Sequence, residues 1–231
     1  MVNGNLSNSM RDNYGTHGVE EYYRILTPDL TDRNPHYLGL KKVLASFMDR
    51  YVANEKPKRI RVLDLAAGSG EATEPSIPEP ELSIVAADPF TAPAFRARTG
   101  QPCLELSFAD VAAGKLPAPG ATDPPDEGAE DVELYDIVII SFALHLVETS
   151  SELWALLDAL SKRARWLCVT APHKKPDVKS SWGWRRWDPS AAWQPAEGRG
   201  NVGGQEGDGF EIVLERVRLR LWRSEANWDA E

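Results

Sequence analysis

Four short stretches of the 231-residue chain combine small, acidic and hydroxyl residues in patterns that suit ligand binding. The first is Val62-Leu63-Asp64-Leu65-Ala66-Ala67-Gly68-Ser69-Gly70-Glu71-Ala72-Thr73, an apolar run that opens into residues small enough to let a ligand approach the backbone. A helix starting beyond that turn would offer free N–H groups to a polar or anionic group. A dinucleotide fingerprint needs a third glycine three residues after the second. Thr73 stands there instead, and Glu71, directly after Gly70, would repel a pyrophosphate. The second stretch is Asp88-Pro89, eighteen positions beyond Gly70, where a carboxylate can accept from both hydroxyls of a ribose or act as a turn acid. The third is Ser107-Phe108-Ala109-Asp110-Val111. Asp110 can accept from an exocyclic ring amine, with apolar neighbours covering the ring, or it can be a helix N-cap. The fourth is Tyr135 to His145, a strand that opens into Ser141-Phe142-Ala143-Leu144-His145 and should deliver Ser141 to the carboxyl end of a sheet.

Around these lie side chains with two readings each. His145 suits a general base, because imidazole titrates in the useful range, and equally a packed histidine at a helix start. His36 and His173 carry the same ambiguity as substrate-binding candidates. Tyr14, Tyr22 and Tyr23 either close over a ligand or pack an N-terminal helix. Trp182, Trp184, Trp187 and Trp193 either line an aromatic or cation-binding pocket, with Trp184 the substrate-binding candidate, or form a hydrophobic cover.

Positioning these groups requires strands and helices in alternation. Val19 to Leu26 can form a short helix. Pro35 to Ala53 reads as a helix capped by Asn34, with Leu38, Val43, Leu44, Phe47, Met48 and Tyr51 near one face. Ile60–Leu65, Leu82–Ala87, Leu104–Phe108, Tyr135–Phe142 and Trp166–Thr170 read as strands, and Ser151–Arg165 as an amphipathic helix. Phe210–Arg223 alternates apolar and charged residues like a late strand with one solvated side. The expected fold is α/β: a three-layer Rossmann-like sandwich with a mostly parallel central sheet and an antiparallel C-terminal edge strand. Residues 1–231 read as a single domain with an ordered core of about 19–224. Two Pro-, Gly- and acid-rich stretches, about 116–133 and 188–209, read as flexible insertions.

The bulk properties bound the function. With 35 acidic and 26 basic residues the net charge is -9, a poor match for phosphate backbones, so nucleic acid is disfavoured as a partner. Lys162, Arg163, Arg165, Lys174 and Lys175 are the candidates for a basic patch, against a solvated helix face and loop. Cys103 and Cys168, with no CxxC, argue against a disulfide scaffold and a zinc site, and no metal is expected. Without an apolar N-terminal segment or a membrane-length apolar run, the expected location is cytoplasmic, with no membrane partner.

In this order Val62–Thr73, Asp88, Asp110 and Tyr135–Glu148 resemble the successive motifs of class I S-adenosylmethionine (SAM)-dependent methyltransferases, over roughly Tyr22 to Ser224. The resemblance implies SAM as cofactor. It implies that Asp64, Ala66, Gly68 and Gly70 border its amino-acid part, Asp88 and Pro89 its ribose, and Asp110 and Val111 its adenine, with Ser141 near the transferable methyl. Asn34-Pro35-His36, Ser141 to Leu146 and Pro172-His173-Lys174-Lys175-Pro176 also look like a group of small fungal and algal methyltransferases with no substrate attached. The expected activity is methyl transfer to an O or N atom of a small molecule. Transfer to a protein or RNA, SAM binding without transfer, and a nicotinamide oxidoreductase are the alternatives, the last disfavoured by Glu71 and Thr73. Pro75, Pro78 and Pro80 depart from the family pattern and imply a short or irregular first helix.

Overall fold

In the computed structural model, residues 36–73, 80–121, 133–173, 175–189, 192–196 and 210–229 are described. Helix α1 (Tyr37–Glu55) buries Leu40, Val43, Leu44, Phe47, Met48 and Tyr51, spaced so that they line one face, whereas Leu38, expected there, falls on the opposite side and is exposed. It ends where Lys56 turns left-handed, at φ 49°, and Pro57 follows, which cannot continue a helix. It begins at Tyr37; Asn34 and Pro35, expected to cap it, lie outside the described residues, as does the expected helix at 19–26.

The remaining elements are β1 (Arg59–Leu65), β2 (Glu81–Ala87), α2 (Ala92–Thr99), β3 (Cys103–Leu104), α3 (Phe108–Ala112), β4 (Tyr135–Ser141), α4 (Ser150–Ser161), β5 (Ala164–Ala171), β6 (Trp184–Asp188), β7 (Gln194–Pro195), β8 (Ile212–Leu214) and β9 (Val217–Ser224). They form a sheet in the order β3-β2-β1-β4-β5-β9-β6-β7, with β8 paired to β9. Pairing is parallel from β3 to β5 and antiparallel from β5 onward. The strand order reverses between β1 and β4, so β2 and β5 diverge from a crevice outside the carboxyl ends of the central strands.

Alternation along each strand feeds two cores. Val62, Ile137, Ile139, Cys168, Leu219 and Leu221 pack beneath α1. Leu63, Leu65, Val138, Ile140, Leu167 and Val169 pack beneath α4. Strands β1, β4 and β5 are buried on both sides, which is why they read as continuous apolar runs rather than alternating ones. The expected mostly parallel, three-layer arrangement with an antiparallel edge is present.

The details differ from the sequence reading in three places. The run expected as a strand over Leu104–Phe108 stops at Leu104, because Ser107 caps α3 and Phe108 is already helical. The late run Phe210–Arg223 is a hairpin, β8 and β9 joined at Glu215 and Arg216, both at positive φ (48° and 65°). Neither residue is a usual choice for that conformation, so the turn left no mark in the sequence. Strand β9 also lies inside the sheet, flanked by β6 in the stretch that had no strand assigned. Of the two stretches read as insertions, 122–132, 190–191 and 197–209 lie outside the described residues. The ends that are described belong to the core or the sheet: Leu116 is buried, Tyr135 donates its hydroxyl to the Pro117 carbonyl, and Gln194–Pro195 pairs with β6. The described chain also continues past Ser224, where Asn227 donates to the carbonyls of Ser161 and Ala164.

Candidate functional site

The site begins where β1 ends. Ala66, Gly68 and Gly70 take positive φ of 60°, 59° and 91°, and the chain folds back on itself. Ala66 and Ala67 donate their N–H groups to the Ala87 carbonyl at 2.8 and 3.1 Å. Gly68 donates to Asp88 Oδ2 at 3.1 Å, Ser69 to Glu71 Oε2 at 3.0 Å, and Gly70 to the Ala67 carbonyl at 2.9 Å. Five successive N–H groups are therefore satisfied within the protein. A turn that cradles phosphate must leave several of them pointing outward. The expected offer of N–H groups to an anionic ligand is not made here, because Glu71 and Asp88 supply the negative charge themselves. Gly70 has a second reason to lack a side chain: a Cβ there would stand 2.7 Å from Thr99 Cγ2 and 3.1 Å from the Phe95 ring, so α2 packs directly on it.

Asp64 lies beneath the turn, 1% exposed. Its Oδ2 accepts from the Thr73 hydroxyl at 2.7 Å, and its Oδ1 has no hydrogen-bond partner. Burial pushes this carboxyl up to about 7, and the nearby charges of Glu71 and Asp88 add to the effect. It borders a narrow crevice otherwise lined by Leu44, Met48, Val62, Ala72, Leu82, Ile84 and Ile139. Three carboxylates thus surround the turn, answered by Arg98, 3.7 Å from Glu71. The start of α1 closes this side, with Arg98 over the Tyr37 ring at 5.6 Å.

Asp88 closes β2. Besides Gly68 it accepts from the N–H groups of Phe90 and Thr91, both at 2.8 Å, and the Thr91 hydroxyl donates to the Gly68 carbonyl at 2.7 Å. The acid is therefore a turn acid that also faces the glycine turn. Pro89 is half-buried beside it, and Phe90 stands 46% exposed, an aromatic ring at the carboxyl end of β2 that the sequence reading passed over.

Asp110 sits in a capping box, accepting from the Ser107 N–H and hydroxyl, and from Lys115 at 2.7 Å. Lys115 and Ser107 hold it far below the usual carboxylate range. The cap itself is Ser107, with Asp110 three residues on, rather than Asp110 as the alternative sequence reading had it. Val111 is a correction: its side chain is buried in the α4-side core and its N–H donates to the Ser107 carbonyl, which leaves it no group for a ring edge.

At the ends of β4 and β5 the structure gathers several candidates. Phe142, at φ 55°, turns the chain out of β4, and its N–H donates to the Thr170 carbonyl. The His36 ring lies 5.7 Å from Phe142, and the rings of His145 and His173 meet edge-on at 6.1 Å. His36, Ser141, His145 and His173, spread over most of the chain, thus belong to one end of the sheet. Tyr22, with Tyr14 and Tyr23, lies outside the described residues.

Two other expectations dissolve. Trp184 is fully buried and donates its indole N–H to the Leu157 carbonyl at 2.8 Å, so it anchors α4 and cannot line a pocket. The other tryptophans divide between the faces: Trp182 joins the α4 side, while Trp187 and Trp193 pack around Trp166 on the α1 side at 5.1 and 5.3 Å. They form a cover rather than a cage. The candidate basic patch also separates, because Arg163 and Arg165 stand at the start of β5 and Lys175 beyond its end. Lys162 pairs with Asp158, and Arg165 lies 3.7 Å from Asp136. Among the described residues no group of three or more potential metal ligands occurs, and no helix is long and apolar enough to cross a membrane.

No protein-family model matches the chain. It is 36% identical over 252 residues to the uncharacterized protein C17A5.05c of Schizosaccharomyces pombe, covering 95% of this chain and 94% of the relative. Among solved structures it is similar to the magnesium protoporphyrin IX methyltransferase ChlM of Synechocystis PCC 6803 with bound SAM, at 15% identity and TM-score 0.49, covering 93% of this chain and 94% of that one. It is also similar to the N-methyltransferase NodS of Bradyrhizobium japonicum, at 12% identity and TM-score 0.47, covering 84% and 98%. A third is a TehB-like methyltransferase of Corynebacterium glutamicum, at 8% identity and TM-score 0.48, covering 92% and 97%.

Proposed function

The chain belongs to the family of the fission-yeast protein C17A5.05c, and we propose that it is a SAM-dependent methyltransferase acting on an O or N atom of a small molecule. The observation that carries this reading is the glycine turn whose five N–H groups are satisfied internally while Asp64, Glu71 and Asp88 surround it. Such a turn repels phosphate and suits a cation. SAM carries a sulfonium and an ammonium and no phosphate, whereas nicotinamide cofactors bring a pyrophosphate. The residues present therefore fit SAM. Asp64, with its unpartnered Oδ1, and the Ala66–Gly70 turn would border its amino-acid part. Asp88 would face the ribose through its remaining acceptor capacity, and Phe90 would cover the adenine from the carboxyl end of β2.

When bound, SAM supplies an activated methyl group on a positively charged sulfur. The protein has to hold an acceptor in line with it and keep water away, since orientation is the larger part of such a barrier. His145 and His173 stand at the end of β4 and β5, where a protonated acceptor would deliver its proton. The net charge of -9 favours a small acceptor over a nucleic acid.

Calorimetric titration with SAM tests the reading, with NAD as control ligand. Saturable one-site binding of SAM and none of NAD is the expected result. Tighter binding of NAD, or no SAM binding by folded protein, refutes it.

A further inference from the structure

Ser69 donates its N–H to Glu71 Oε2 at 3.0 Å, and the other oxygen of the same carboxylate, Oε1, lies 3.7 Å from Arg98 Nη1. One carboxylate thus bridges a backbone N–H of the glycine turn and a guanidinium on α2. A phosphate uses the same pair of donors: the N–H groups of a tight turn make an anion concavity, and an arginine supplies a charged fork beside it. Glu71 therefore stands where a ligand phosphate would stand. It also lies against the turn itself, since a Cβ on Gly68 would come within 3.0 Å of Oε2.

The other four N–H groups of the turn are held differently. Ala66, Ala67 and Gly70 donate to main-chain carbonyls. Gly68 donates to Asp88, which is buried and fixed by the N–H groups of Phe90 and Thr91. Of the five, Ser69 alone depends on a partly exposed side chain. The Arg98 and Glu71 side chains are 34% and 24% exposed, so a solute can reach this pair from solvent. Arg98 does not owe its place to Glu71 alone, because the Tyr37 ring at the start of α1 lies 5.6 Å from its guanidinium. Asp64 and Asp88 add negative charge from buried positions beneath the turn, and that charge stays whatever residue stands at position 71.

We propose that Glu71 sets the cofactor class of this turn: its carboxylate is a built-in occupant of an anion site formed by the Ser69 N–H and Arg98, and it shuts out phosphate-bearing cofactors. The exclusion of phosphate stands on this geometry by itself. The identity of the cofactor that is admitted rests on the methyltransferase reading above. Glu71 is then the specificity residue, and Arg98 is the cation that a phosphate would meet in its place.

The test is calorimetric titration with inorganic pyrophosphate of wild type, Glu71→Ala and the double variant Glu71→Ala with Arg98→Ala. Wild type should bind pyrophosphate weakly or not at all. Glu71→Ala should bind it about tenfold tighter or more, the value of one charge-assisted hydrogen bond against the charge of the two remaining acids. The double variant should fall back to the level of wild type, an outcome that a merely structural role for Glu71 would not give. Glu71→Gln, which keeps the side-chain shape and removes the charge, should also gain, and stands in if the alanine variant fails to fold. Pyrophosphate binding no tighter in the Glu71 variants than in wild type overturns the proposal, as does undiminished binding in the double variant. A parallel titration of wild type with SAM separates the two readings: absence of SAM binding there strikes the methyltransferase reading and leaves the pyrophosphate result standing.

Discussion

The N–H of Gly68 lies 3.1 Å from the carboxylate of Asp88, so the turn after β1 is held by the acid that closes β2. The same carboxylate accepts from Phe90 and Thr91, and Thr91 returns a bond to the Gly68 carbonyl. Two loops distant in sequence are thereby fixed as one unit, which sets the geometry offered to a ligand before any ligand arrives.

Removing that acid should therefore cost stability as well as binding. Asp88→Ala leaves three backbone N–H groups without their acceptor in a mostly buried setting, and a loss of about 2–3 kcal/mol is expected by urea denaturation. Asp88→Asn retains an acceptor oxygen and should lose less. Equal stability of wild type and the alanine variant would show that the turn does not depend on this acid.

Gly70→Ala should destabilise by about 1–3 kcal/mol, from an unfavourable positive φ and from contact with Thr99 Cγ2. Adding Thr99→Ser removes that methyl while keeping the hydroxyl bond to the Phe95 carbonyl, and should restore part of the loss. No recovery in the double variant would assign the whole cost to the backbone.

Asp64 gives a dependence on pH with a definite sign. Its carboxyl is raised to about 7 in the folded protein from an ordinary value of 3.8, so the folded state holds its proton where the unfolded state has released it. Its unfavourable contribution is absent below about pH 4, grows between about pH 4 and 7, and is complete above. Asp64→Asn should therefore gain on wild type as pH rises, by about 2–4 kcal/mol between pH 4 and 8. Parallel denaturation curves at the two pH values would contradict the raised value. Because a bound cation favours the ionised form, SAM binding near pH 6 should release a proton, seen as a dependence of binding heat on buffer ionisation heat.

Phe90 is exposed and packs on little, so Phe90→Ala should change stability by less than about 0.5 kcal/mol. Its loss should weaken SAM by roughly threefold to tenfold, the value of one ring-stacking contact. An unchanged dissociation constant would remove Phe90 from the adenine side of the site.

Much of this was legible in the sequence because it depends on neighbours along the chain. Val62–Leu65 and Tyr135–Ile140 are apolar without interruption because both faces of a central parallel strand are covered, and that pattern survives in one dimension. The spacing of Val43, Leu44, Phe47, Met48 and Tyr51 marked α1, although Leu38, expected on the same face, is exposed and Leu40 is buried in its place, and the leucines of Ser151–Arg165 marked α4. Glu71 and Thr73, where a dinucleotide fold would place other residues, already argued against a pyrophosphate. What only the tertiary structure decided were relations between segments far apart. It showed that Asp88 and Glu71 occupy the N–H groups of the turn, and that the tryptophans fall on opposite faces of the sheet. It showed too that Glu215 and Arg216 fold one apparent strand into two. A residue's type announces what its side chain can bond, but the donor or ring that meets it is chosen by strand order and register. In this sheet, strand order and register bring residues about a hundred positions apart to one end of the sheet.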